Sequence, residues 1–95
     1  MIQTYKLKTG EIWQIDASLT AFGADDGFIY RGQENISSAS EKENPLEIYS
    51  TPDRSAGIML SERDRTIDFF GDNLDKALMM SKLKRLTGVE LELVA

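Results

Sequence analysis

Residues 72 to 88 read DNLDKALMMSKLKRLTG, the one long stretch of the chain whose ends are both marked as helix ends. Asp72 or Asn73 can accept hydrogen bonds from the first free backbone N–H groups, and Asp75 suits the positive end of the helix dipole. Lys82, Lys84 and Arg85 suit the negative end, and Gly88 supplies a left-handed stop. At about 100° per residue, Leu74, Ala77 and Leu78 share one side, while Met79, Met80, Leu83 and Leu86 share roughly the opposite side. A helix on a sheet buries only one stripe. Three explanations compete: the helix bends or ends near Met79 and Met80, a loop through Ile36 covers its later turns, or one side is exposed and meets a partner.

Outward from this helix the text is that of strands. VELELV alternates, with Val89, Leu91 and Leu93 on one side and Glu90 and Glu92 on the other, so a final edge or near-edge strand with one wet face is expected. Before the helix, IML and TIDFF flank the charged turn SERDR, as in a hairpin. Further back stands LEIYS, where Leu46 and Ile48 alternate against Glu47 and Tyr49, and TPDRSAG then turns the chain. At the start, residues 2 to 8 and 11 to 17 read as two strands joined at Thr9-Gly10. Their inner faces would be Tyr5 and Leu7 on the first, and Trp13, Ile15 and Ala17 on the second. In FGADDGFIY, Asp25-Asp26-Gly27 reads as a turn with positive φ at Gly27, before Phe28, Ile29 and Tyr30. The expected fold is α+β: a mainly antiparallel sheet of about six to seven short strands, with one helix in the C-terminal half followed by a final strand.

Residues 31 to 45, RGQENISSASEKENP, hold only Ile36 and Ala39 as apolar residues and read as a mobile polar loop within a single domain of residues 1 to 95. No internal repeat is present. A chain of this length, 41% apolar, builds one modest core.

Composition narrows the chemistry. With no Cys, disulfides, thiol nucleophiles and thiolate metal sites are excluded, and with no His the usual general base and the commonest zinc ligand are missing. Sixteen acidic against eleven basic residues leave a net charge of −5, which disfavours direct nucleic-acid binding and anionic membranes. The first ten residues hold no apolar h-region and no apolar run spans a bilayer, so a soluble cytoplasmic protein is expected.

Individual motifs are generic. The carboxylate pairs Asp25-Asp26, Asp64 with Asp68, and Asp72 with Asp75 each have a turn, surface or capping role to explain them. FFGDNL places one Gly before the helix, but Asp72 sits where a bound phosphate would. No Ser or Thr has an evident activating base. Lys82, Lys84 and Arg85 are accounted for by the helix dipole, and Arg54, Arg63 and Arg65 fall in turns without interleaved aromatics.

The expectation is therefore a protein-binding module without catalysis, cofactor or metal: an inhibitor or immunity-type protein that blocks a basic nucleic-acid-handling partner through steering by complementary charge. The contact residues expected are Asp25, Asp26, Glu34, Glu41 and Glu43 in one group, and Met79 and Met80 in another, Met being common on adaptable binding surfaces. Two other classes compete: a structural assembly subunit, which could self-associate as a homo-oligomer, and a small-ligand binding domain, which needs a cavity between sheet and helix.

Overall fold

Among the described residues, six strands and two α-helices follow in the order β1 at Gln3–Leu7, α1 at Ile12–Phe22, β2 at Ile29–Ile36, β3 at Asn44–Ser50, β4 at Ala56–Ser61, β5 at Thr66–Gly71, α2 at Asn73–Thr87 and β6 at Leu91–Leu93. A computed structural model describes residues 2–36 and 44–94. The strands form one sheet in the order β2-β3-β4-β5-β1-β6, and every neighbouring pair is antiparallel. The fold is α+β, with the final strand after the long helix, at an edge.

The chain turns into α1 where the sequence reads as a hairpin. Residues 11 to 17 do not pair with β1; Glu11 caps α1 and residues 12 to 17 form its first part. Two local features explain the correction. Gly10 has φ of 79°, which aims the chain off the sheet, and the Glu11 backbone N–H donates to Gln14 Oε1 at 2.9 Å, the return arm of a capping box. Ile12, Ile15 and Leu19 then fall on one helical stripe and are buried. The alternation of Trp13, Ile15 and Ala17 is real in the text, but Trp13 and Ala17 point outward.

The reading of residues 31 to 45 as one loop also needs correction. Strand β2 continues to Ile36 and β3 starts at Asn44, paired in register from Gly32 opposite Ile48 to Ile36 opposite Asn44. Polar residues are compatible with pairing here because β2 is an edge strand, where polar side chains are tolerated. Residues 37 to 43 of that segment lie outside the described residues.

Both helices pack on one face of the sheet. α1 carries the chain from β1 across the sheet to the far edge at β2, and α2 carries it from β5 over β1 to β6. Alternation and register put Tyr49, Ile58 and Phe69 in one inward-facing row, with Leu60, Ile67 and Tyr5 in the next. Ile58, Ile67, Phe69 and Leu83 are fully buried there, and burying a side chain of this size is worth about 1.5–3 kcal/mol. Tyr5 meets Phe69 edge to face, ring centroids 5.5 Å apart. The outer face of the sheet carries Leu46, Ile48, Met59 and Phe70 among Thr4, Ser50, Ser61, Thr66 and Asp68. There the Phe70 ring lies across Gly57, where a Cβ would collide with it and stand 2.8 Å from the Tyr49 carbonyl.

α2 begins and ends as its sequence dictates. Asp72 accepts from the backbone N–H groups of Leu74 and Asp75, and Gly88, with φ of 69°, closes the last turn. Met79 and Leu83 face the core, with Met80 and Leu86 packed beside them. Leu74 and Leu78 are 71% and 50% exposed, so the apolar side left open is the early one.

Candidate functional site

The helix that replaces the expected strand brings Asp16 and Thr20, four residues apart and so on one face of α1, over the inner face of β3. There Tyr49 rises from the sheet, 1% exposed, and its hydroxyl donates to Asp16 Oδ1 at 2.7 Å while standing 3.1 Å from Thr20 Oγ1. The Thr20 hydroxyl donates to the Asp16 carbonyl at 2.9 Å, which fixes it to its own helix. Glu47 lies two residues before Tyr49, on the same face of β3. Its Oε2 accepts from the Tyr30 hydroxyl on β2, and its Oε1 accepts from Gln33 Nε2 at 2.7 Å. The Tyr30 and Tyr49 rings are tilted against each other with centroids 5.2 Å apart.

Asp16, Thr20, Tyr30, Glu47 and Tyr49 line a cleft of about 420 Å³ between α1 and the β2-β3 edge, floored by Leu19 and Phe28. An adjoining hollow shares Asp16 and Glu47 and adds Trp13, Gln33, Pro45 and Glu62. Together they form a groove along α1 with carboxylates at its centre and a half-exposed aromatic on either side, Trp13 at 58% and Tyr30 at 52%. Among the described residues no Lys or Arg forms an ion pair with Asp16 or Glu47. Arg31 is close in sequence but turns away, binding Ser50 Oγ and the carbonyls of Thr51 and Pro52.

Each phenol donates to a carboxylate, Tyr30 to Glu47 and Tyr49 to Asp16. The hydrogen bond to Glu47, aided by desolvation and the charges of Glu47 and Asp16, pushes the Tyr30 hydroxyl up to about 12. Burial raises Tyr49 further still; the contact with Thr20 opposes the rise, and Asp16 and Glu47 add to it. Both remain protonated at neutral pH, hold the carboxylates in place and leave negative charge facing the cleft. The chemistry on offer is acceptance of a cation or of N–H donors against an aromatic wall. Among the described residues no three acidic side chains gather to hold a metal ion.

A second hollow of about 430 Å³ lies under α2, lined by Gln3, Tyr5, Phe69, Asn73, Lys76 and Met80. Lys76, 5% exposed, already has an interaction of its own.

The residues singled out in the sequence do not converge on this groove. Asp25 is exposed in the 3-10 turn Gly23–Asp26, and Asp26 is engaged by α2: its Oδ1 lies 3.5 Å from Arg85 Nη2 and its carbonyl accepts from Lys82 Nζ at 3.3 Å. The expected positive φ at Gly27 is present, at 86°. Glu34 pairs with Leu46 and therefore projects from the face opposite Glu47. Glu41 and Glu43 lie outside the described residues. Met79 is 3% exposed and belongs to the core, whereas Met80 is half-buried, packs against that core and lines the hollow under α2.

Asp16, Thr20, Tyr30, Glu47 and Tyr49 are the residues that sequence reasoning missed. The usable signals are the shared strand face of Glu47 and Tyr49 and the helical spacing of Asp16 and Thr20, the second legible only once residues 12 to 22 are read as a helix. No helix is long and apolar enough to cross a membrane among the described residues. No protein-family model, no curated protein and no solved structure matches the chain.

Proposed function

We propose that this domain is a protein-binding module without catalysis of its own, and that it takes a basic partner into the groove along α1. The observation that carries the reading is the pair Asp16 and Glu47, two carboxylates without a cationic partner among the described residues, set between the exposed rings of Trp13 and Tyr30. A net charge of −5 steers a basic surface toward the domain, and aromatic side chains supply anchors for the contact. Proteins that handle nucleic acid concentrate positive charge where they meet phosphate. A domain covering that surface acts as an inhibitor.

The test is fluorescence anisotropy with a labelled peptide of mixed Lys and Arg, at low and at moderate salt. The double variant Asp16→Asn, Glu47→Gln should weaken binding by about tenfold or more. Glu90→Gln, Glu92→Gln removes the same two charges at the opposite edge of the sheet and should change binding by less than about twofold. Equal losses in the two variants would reduce the interaction to net charge and overturn the reading.

The cleft also favours a second reading, a small-ligand domain for an amine-bearing molecule, since a cavity between sheet and helix is what that class requires. A thermal shift across a panel of amines, absent from the Glu47→Gln variant, would support it.

A further inference from the structure

We propose that the cleft between Asp16 and Glu47 is a seat for one guanidinium group, the head of an arginine side chain presented by the partner. The proposal rests on the basic-partner reading and names the residue type that the site selects. Three features favour guanidinium over ammonium.

The first is the placement of the carboxylates. Asp16 enters from α1 and Glu47 from β3, on separate walls of a cleft of about 420 Å³. A planar fork with five N–H donors can satisfy acceptors on two walls at once, whereas an ammonium is a compact point charge that keeps its water. The second is unused acceptor capacity. Asp16 Oδ1 accepts a hydrogen bond from the Tyr49 hydroxyl, while Oδ2 accepts none from the described residues. Each Glu47 oxygen has one neutral donor, Tyr30 or Gln33, and retains a further lone pair. These donors orient the carboxylates without neutralising them.

The third is the wall. Tyr30 is half exposed on one side, and Leu19 and Phe28 form an apolar floor. A guanidinium is weakly hydrated and stacks on aromatic faces, so it loses little on entering such a cleft, and its methylene stem covers the apolar floor. Among the described residues no arginine lines this cleft, and the nearby Arg31 is held by Ser50, Thr51 and Pro52.

The experiment is a heteronuclear NMR titration of the labelled protein with three capped amino acids: N-acetyl arginine, lysine and citrulline N-methylamides. Citrulline keeps the planar shape and removes the charge. Arginine should give saturable shifts confined to the amides of Asp16, Thr20, Tyr30, Glu47 and Tyr49, with lysine about tenfold weaker and citrulline silent. Glu47→Gln should weaken the arginine response by about tenfold, and Asp16→Asn, with its spectrum confirming the fold, should do the same. Arginine and lysine of equal affinity, or no saturable response to arginine, overturns the guanidinium seat and leaves the basic-partner reading to its own peptide test. Shifts spread over Glu90 and Glu92 as well as the cleft also overturn it. If the peptide test fails while arginine alone still saturates the cleft, the seat stands and the partner reading falls.

Discussion

The Tyr49 hydroxyl, on the inner face of β3, donates to Asp16 Oδ1 on α1 across 2.7 Å. This contact joins the first helix to the sheet across thirty-three positions of sequence, and it makes one wall of the cleft a structural bond as well as a charged surface. Tyr49→Phe keeps the ring and its 5.2 Å contact with Tyr30 but leaves the carboxylate without its buried donor. A hydrogen bond to a charged group contributes about 1.5–3 kcal/mol, so the urea midpoint should fall by that amount divided by an unchanged m-value. A loss under about 0.5 kcal/mol would mean that water replaces the phenol at no cost.

Alkaline stability follows from the same cluster. Tyr30 is raised from its ordinary value of 10 to about 12, so the native state keeps a proton that the unfolded chain releases. Its contribution is full below pH 10 and is lost as the pH rises from 10 through 12, and Tyr49 shifts in the same direction. Urea midpoints at both ends of this window should show a smaller decline for Tyr30→Phe than for wild type. Identical declines would show that the phenol of Tyr30 is not held by Glu47 in solution.

The two apolar sides of α2 should respond differently to charge. Met79 is 3% exposed, and Met79→Glu places an unpaired carboxylate in the core at a cost of about 3–5 kcal/mol. Leu74 is 71% exposed in the first turn, where a negative charge suits the dipole, so Leu74→Glu should stay within about 0.5 kcal/mol of wild type. Thermal melts followed by circular dichroism compare them. A Met79→Glu protein that melts at the wild-type temperature would move that face out of the core.

What the sequence determined by itself is local. The ends of α2 are written in Asp72 and Gly88, the turn at Gly27 in Asp25-Asp26-Gly27, and β6 in the alternation of VELELV, because caps, turns and period-two strands depend on residues a few positions apart. The tertiary structure decided the rest. Residues 11 to 17 fit a period of two as well as 3.6; the capping box at Glu11 and Gln14 lets a helix start there, and the sheet, which takes Ile12, Ile15 and Leu19 on one stripe, holds it. On β3, Leu46 and Ile48 compete with Glu47 and Tyr49 for the inner face, and the passage of α1 over the sheet covers the second pair. The groove is made of α1, β2 and β3 together, so its carboxylates acquire a shared environment only when the chain is folded. Asp16 by itself is a charge on a helix, and Glu47 by itself is a charge on a strand; packing sets them in one cleft with two phenols and no cation among the described residues.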